Sequence, residues 1–245
     1  MTRNLSSARR LLSIAGLSFL SVIFLSSCLK NHNDAVNVPS AAIMVFNLAP
    51  DRSATGFSIS GNSLTNSPLS YGSYSGNYQS IYTGDRAVNA YDFNSQNTVY
   101  ASVNGNFAAD KFYSVFFTGI NNNYRNILVQ DNFDSLSSTS GKAFVRYINA
   151  IPDSINALTV TLTAGAAPVS QEAVPYGNVS AFTAIAPGDL SIAIKSNNGI
   201  DTSRTITLET KKVYTILLGG MAGSATTPVE IKYISNGTLS GSNAN

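Results

Sequence analysis

Beyond residue 40 the chain alternates apolar and polar positions with a period of two. Leu158, Val160 and Leu162 alternate with Thr159, Thr161 and Thr163. Leu190, Ile192 and Ile194 alternate with Ser191, Ala193 and Lys195, and Ile206 and Leu208 with Thr205, Thr207 and Glu209. Successive strand side chains point to opposite faces, so each run offers one apolar face to a core. Such runs recur every ten to fifteen residues with Gly, Pro, Asn and Asp between them, which predicts antiparallel sheets packed as sandwiches. Strands are expected over 41–47, 56–60, 78–83, 86–93, 98–104, 111–119 and 126–132, then over 142–149, 157–163, 180–185, 189–195, 203–208, 212–220 and 228–234. Tyr113-Ser114-Val115-Phe116-Phe117 and Tyr214-Thr215-Ile216-Leu217-Leu218 are the most continuously apolar runs and are expected at sheet centres. No stretch after the first 27 residues reads as a helix.

The two sets of strands correspond because the sequence repeats. Ala42-Ile43-Met44-Val45-Phe46-Asn47-Leu48-Ala49-Pro50-Asp51 aligns with Phe144-Val145-Arg146-Tyr147-Ile148-Asn149-Ala150-Ile151-Pro152-Asp153, with Asn, Pro and Asp in register at an offset of 102. Tyr71-Gly72 then matches Tyr176-Gly177, Gly84-Asp85 matches Gly188-Asp189, and Phe112-Tyr113-Ser114-Val115 matches Val213-Tyr214-Thr215-Ile216, all at offsets between 101 and 105. Ordered matches at a nearly constant offset indicate a duplicated domain. The expected organisation is two tandem antiparallel β-sandwiches, immunoglobulin-like or transthyretin-like, over 41–133 and 142–237. A Ser-rich linker over 134–141 joins them, and a disordered tail over 238–245 ends the chain.

This pattern is an opening strand ending Asn-x-x-Pro-Asp, a mid-domain Tyr-Gly, a Gly-Asp before a strand and a late Tyr-Ser/Thr-Val/Ile strand ending in Gly. It resembles the domain of unknown function 4397 family (DUF4397), and the resemblance covers the chain twice beyond its first forty residues. It implies an extracytoplasmic bacterial protein, with the domains often in tandem behind a lipid-anchoring motif and a link to adhesion. It brings no catalytic residues.

The first residues change the picture of where such domains sit. Arg3, Arg9 and Arg10 precede an apolar stretch from Leu11 to Leu25, followed by Ser26-Ser27-Cys28. The stretch is shorter than the roughly twenty residues of a spanning helix. Leu25-Ser26-Ser27-Cys28 resembles the lipobox of bacterial lipoproteins, so residues 1–27 are expected to be a signal peptide and Cys28 the lipid attachment site. Residues 28–40 would be the lipidated terminus and a flexible spacer. Acyl chains bury about 0.8 kcal/mol per methylene, which suffices to tether the protein without spanning. Leu29-Lys30-Asn31-His32-Asn33-Asp34 holds one acid, which favours the periplasmic face of the outer membrane over the cell surface.

Charge follows from the same division. Three of the fifteen Lys and Arg and none of the thirteen Asp and Glu lie in residues 1–27, so the remainder carries a net charge of −1. With no basic cluster beyond Lys211-Lys212, nothing in the charge distribution suits nucleic acid. Cys28 is the only cysteine, so each domain relies on its apolar core and not on disulfides.

Candidate chemistry is sparse. His32, the only histidine, lies in the spacer, where no scaffold holds it against a nucleophile or a metal. No enzyme activity, cofactor or metal is expected. Asp51 and Asp153, like Asp85 and Asp189, recur in both copies beside Pro or Gly, which suggests turn residues accepting backbone N–H groups. Asp92, Asp110 and Asp131 lack an acidic counterpart, and nothing pairs them for acid–base work. Asp131-Asn132-Phe133-Asp134 and Asn121-Asn122-Asn123 lack the alternating carboxylates of a calcium loop.

Tyr71, Tyr74, Tyr78 and Tyr82 are interleaved with Ser, Gly and Asn, a composition common in binding surfaces. Tyr71 matches Tyr176 and Tyr78 matches Phe182, which marks them as packing residues. Tyr74 and Tyr82 have no aromatic counterpart and are the candidate ligand-binding residues. Asp134-Ser135-Leu136 and Asp153-Ser154-Ile155 resemble O-glycosylation acceptor triplets, with Ser135 and Ser154 as acceptors. The expected role is a non-enzymatic binding or adhesion module of the cell envelope, membrane-attached through its lipid, with an envelope protein or glycan as partner. The alternative is a structural accessory subunit of an outer-membrane or periplasmic complex such as polysaccharide capture machinery.

Overall fold

A computed structural model describes residues 38–95, 98–152 and 157–240. Residues 39–240 form one compact unit. The first repeat contains β1 (Ser40–Asn47), β2 (Thr55–Ile59), β3 (Asn62–Ser63), β4 (Ser73–Tyr74), β5 (Gln79–Tyr82), β6 (Gly84–Asp92), β7 (Val99–Phe107), β8 (Phe112–Ile120) and β9 (Asn123–Asp131). The second contains β10 (Ala143–Asn149), β11 (Leu158–Ala164), β12 (Ala167–Val174), β13 (Thr183–Ile185), β14 (Gly188–Lys195), β15 (Asp201–Leu208), β16 (Lys212–Gly219) and β17 (Glu230–Thr238). No helix among the described residues is long and apolar enough to cross a membrane.

Each repeat is a sandwich of two sheets, as the alternation predicts. In repeat 1 an outer sheet β3-β2-β6-β7 packs on an inner sheet β4-β1-β8-β9, in which β5 also pairs β1. In repeat 2 the sheets are β12-β11-β14-β15 and β13-β10-β16-β17. The most apolar runs, β8 and β16, are central as expected. The pairing is not wholly antiparallel: β1 runs parallel to β8 and β10 parallel to β16. Three strands escaped the sequence reading, namely β3, β4 and β12. Nearly all of β12 is exposed, so it has no apolar alternation to read, whereas β3 and β4 are only two residues long.

The inner strands explain the continuous apolar runs. In β1, Ile43 and Val45 enter the core of repeat 1, while Met44 and Phe46 face the other way. In β16, Tyr214, Ile216 and Leu218 enter the core of repeat 2, while Leu217 faces outward from it. The outward sets meet: Met44, Phe46, Leu48, Phe116, Ile148, Ala150, Leu217 and Ile234 form a third buried cluster. The order of layers is therefore outer, inner, inner, outer, and the central strands β1, β8, β10 and β16 are covered on both faces. This is why these strands lose their polar positions.

Repeated motif residues turn out to hold the inner strands in place. Asn47 is fully buried and donates from Nδ2 to the carbonyls of Arg52 (2.7 Å) and Leu69 (2.9 Å), while its Oδ1 accepts from Ala49 N. Asn149 repeats this with Val174 O and Ile151 N. Gly119 and Gly220 have φ of +125° and +100°, and a Cβ at either would overlap the backbone of the chain as it returns, at Asn123 O and Pro228 O. Only glycine serves there. Asp85 and Asp189 are not turn residues. They lie in β6 and β14, where they accept from the opposite strand, Asp85 from Asn106 Nδ2 (2.7 Å) and Asp189 from Thr207 Oγ1 (2.8 Å).

Candidate binding surfaces

Strand direction decides which surfaces are free. β1 and β8 start at the end where the chain enters, and so do β10 and β16, because Lys111 O accepts from Ala42 N and Lys142 O from Lys211 N. At this end Phe133 packs on Phe182, 5.8 Å between centroids. At the other end Thr118 Oγ1 donates to Ala150 O at 3.4 Å and Arg125 Nη2 to Tyr176 O at 2.9 Å. The two repeats therefore point the same way. The connections leaving β1, β6, β8, β10, β14 and β16 all lie at the loop end, opposite the points where the chain enters β1 and leaves β17.

Between the repeats lies a buried polar group. Arg146 in β10 pairs through Nη1 with Asp131 at the end of β9, both side chains being at most 2 % exposed. Arg146 Nη2 donates to Ser114 Oγ (2.9 Å) and its Nε to Thr215 Oγ1 (2.9 Å). Ser114 Oγ and Tyr78 Oη both donate to Asp131 Oδ2, at 2.7 and 2.6 Å. Asn236 Nδ2 donates to Tyr78 Oη (3.1 Å), and Thr215 Oγ1 donates to Asn236 Oδ1 (2.6 Å), which closes the ring. Burial, together with the neighbouring Asp131 carboxylate, holds the Tyr78 phenol well above the usual tyrosine range, so it stays a donor. Asp131, which has no acidic counterpart in the second copy, is thus half of a structural ion pair. The arrangement fixes how the two repeats pack.

The tyrosines divide differently from the sequence reading. Tyr71 and Tyr176 are half-buried at the seam between the repeats, each against the other repeat's inner sheet. Lys232 Nζ lies 5.3 Å from the Tyr71 ring centroid and the Arg125 guanidinium carbon 4.2 Å from that of Tyr176. Tyr74 is half-buried and stacks on Phe46 at 5.6 Å, so part of its ring packs within the fold. Tyr82 is 65 % exposed, with the Arg86 guanidinium over its ring at 5.8 Å. The structure does not bring Tyr74 and Tyr82 together into a surface. Ser135 is exposed, and its hydroxyl donates to Asn132 O at 2.7 Å. Cys28, His32, Asp153 and Ser154 lie outside the described residues.

Two surfaces of repeat 1 were not read from the sequence. At the loop end the Arg52 guanidinium lies between Tyr100 (4.6 Å) and Tyr124 (4.8 Å), where cation–π attraction and the rings' apolar faces hold it. Asp51 accepts from Tyr124 Oη (2.6 Å) and Asn121 N (3.0 Å), and Arg52 Nη2 donates to Asn122 Oδ1 (3.2 Å). Burial, then the bond to Asp51, pushes the Tyr124 phenol up to about 12. The guanidinium lies on the ring faces, and the cluster ties the β1–β2 and β8–β9 connections to the start of β7.

The second surface is a cleft of about 460 Å³ on the solvent face of the outer sheet, lined by Ser58, Gly61, Ser63, Thr65, Asn66, Asn89, Tyr91, Phe93 and Val99. Tyr91 pairs Gly56 across β2 and β6. Its ring lies over that glycine, where a Cβ would overlap Tyr91 Cζ. The signal that could have pointed here was a difference between the copies. Across β11 and β14 the corresponding pair is Thr159 and Lys195, and Lys195 forms an ion pair with Asp201 at 3.1 Å. Among the described residues no three His, Cys, Asp or Glu side chains gather as metal ligands would.

Comparison with known proteins gives a family and no activity. No curated protein matches the chain. Among solved structures, a candidate cell adhesion protein from Bacteroides ovatus matches 80 % of this chain and 95 % of its own at 12 % identity, with a TM-score of 0.24. Another from Bacteroides uniformis matches 81 % and 99 % at 8 % identity and the same TM-score. Superposition that loose carries no functional weight. The domain of unknown function DUF4397 matches twice, over residues 41–156 and 143–242, on the two repeats that the internal alignment separates. The chain belongs to the DUF4397 family, of which it carries two copies packed inner sheet to inner sheet.

Proposed function

We propose that the protein is a non-enzymatic, lipid-anchored binding or adhesion module of the cell envelope. The observation that supports this reading is the polarity of the fold. The chain enters β1 and leaves β17 at one end, and the connections leaving β1, β6, β8, β10, β14 and β16 lie at the other. A tether at Cys28 on a short spacer would hold the sandwiches by their entry end and display the loop end. The accessory-subunit reading calls for a broad apolar face shared by both repeats. The exposed large apolar side chains are instead scattered, with Val99 and Val169 on different outer sheets and Tyr82, Phe112 and Tyr233 on the inner ones.

Labelling from outside the cell tests this directly. Lipidation would consume the thiol of Cys28, so Ala225→Cys, on the exposed connection between β16 and β17, would supply the one free thiol. A membrane-impermeant maleimide is expected to label it on intact cells of the native host. Labelling only after permeabilisation would count against adhesion to external surfaces and favour the accessory subunit at the periplasmic face.

The anchor has its own test in detergent phase separation and intact mass. The parent protein is expected in the detergent phase, and Cys28→Ser in the aqueous phase. If Cys28→Ser still enters the detergent phase, the anchor lies elsewhere. The same mass spectra read glycosylation: hexose increments that disappear in Ser135→Ala or Ser154→Ala identify an acceptor. A mass explained by lipid alone removes both sites.

A further inference from the structure

The outer-sheet cleft of repeat 1 has a composition that its counterpart in repeat 2 lacks. Its polar side chains are hydroxyls and amides, and none carries a formal charge at neutral pH. Among the described residues, the side chains of Ser58, Asn66 and Asn89 have no hydrogen-bond partner within the protein, and neither has the Tyr91 hydroxyl. Tyr91 is only 8 % exposed. Its Oη is absent from the fully enclosed unpaired atoms, so the little it exposes opens into the cleft. That hydroxyl is therefore free to hydrogen-bond a ligand that displaces water from the cleft. Val99, 53 % exposed, and Phe93 add apolar surface on the same side.

We infer that this cleft binds a neutral saccharide, with Asn89, Asn66 and Ser58 exchanging hydrogen bonds with its hydroxyls while Phe93 and Val99 cover its C–H faces. This rests on the reading of the protein as a binding module and names the ligand class. An amide offers a donor and an acceptor side by side, as adjacent sugar hydroxyls do, and apolar contact with a few placed polar groups is the usual make-up of a ligand site. The lack of charge disfavours acidic ligands. A peptide joining the sheet along β2 is also disfavoured, because that mode needs unpaired backbone at the edge, and Thr55, Phe57 and Ile59 of β2 are already partnered by Leu69, by Leu64 and Thr65, and by Asn62. Repeat 2 has closed the site: Ala193 stands where Asn89 does, Lys195 where Tyr91 does, and β12 lies along the edge that β3 covers only briefly.

Titration calorimetry of the full chain with neutral hexasaccharides of glucose, xylose and mannose tests this, with an oligogalacturonide as the acidic comparison. At least one neutral hexasaccharide is expected to bind. Asn89→Ala and Tyr91→Phe should each weaken it by about tenfold, whereas Thr161→Ala, on the matching face of repeat 2, should leave it unchanged. Thermal melts of each variant separate lost binding from lost folding. The inference is overturned if no neutral hexasaccharide binds at roughly 10 mM, if only the oligogalacturonide binds, or if Asn89→Ala and Tyr91→Phe both bind as the parent does. Saccharide binding together with a loop end labelled only after permeabilisation would sink the adhesion reading and leave the site standing. Surface labelling without saccharide binding would do the reverse.

Discussion

Arg146→Met is expected to lower the unfolding free energy of the full chain by about 3–5 kcal/mol, the cost of leaving a buried charge without its partner. Asp131 would keep its carboxylate at a fully buried position with only Ser114 and Tyr78 left to satisfy it. Asp131→Asn should cost a similar amount by stranding the guanidinium. The duplication supplies an unusual control. Arg146 pairs Thr215 across β10 and β16, and the residue that pairs Ser114 across β1 and β8 is Met44. Asp131 follows the partner of Tyr113, and Asn236 follows the partner of Tyr214. The double variant Arg146→Met with Asp131→Asn therefore places on both sides of the seam the residues that one side already carries. It removes both charges together, so it should cost only about 1–2 kcal/mol, less than either single change. Urea denaturation of the three variants decides this. A double variant whose loss equals the sum of the singles would show that the pair is not coupled.

Phe116→Ala should cost about 3–5 kcal/mol, the range for a large aromatic removed from a packed interior. Phe116 is fully buried and stacks on Phe46 at 4.7 Å, yet it belongs to neither sandwich core. Its contacts lie in the cluster shared by the repeats, so its contribution depends on their docking. For the same reason the parent chain should melt in one calorimetric transition whose van 't Hoff and calorimetric enthalpies agree. Two separated transitions, or a Phe116→Ala loss below about 1 kcal/mol, would mean that the sandwiches are nearly independent and the seam adds little.

The alternation of β11, β14 and β15 was enough to predict strands, because one face of each meets the core and the other meets water. Duplication was legible for a related reason: Asn47 and Asn149, or Gly119 and Gly220, do the same backbone work in each copy and so recur at a fixed offset. Strand β12 was invisible, since a strand exposed along nearly its whole length imposes no pattern. Tyr74 looked like a surface residue because its lack of a counterpart was the only available evidence, and sequence cannot show that Phe46 lies beneath it.

What the sequence determined by itself was the class of fold, the two repeats and their family, all of which follow from local periodicity and recurrence. Continuous apolar runs in β8 and β16 placed those strands at sheet centres. They could not say that each repeat covers the other. That decision belongs to tertiary structure, because Arg146 and Asp131, or Tyr91 and Gly56, acquire their roles only when strands distant in sequence are brought into register. A buried ion pair and a tyrosine laid over a glycine are properties of juxtaposition, and no spacing along the chain encodes them.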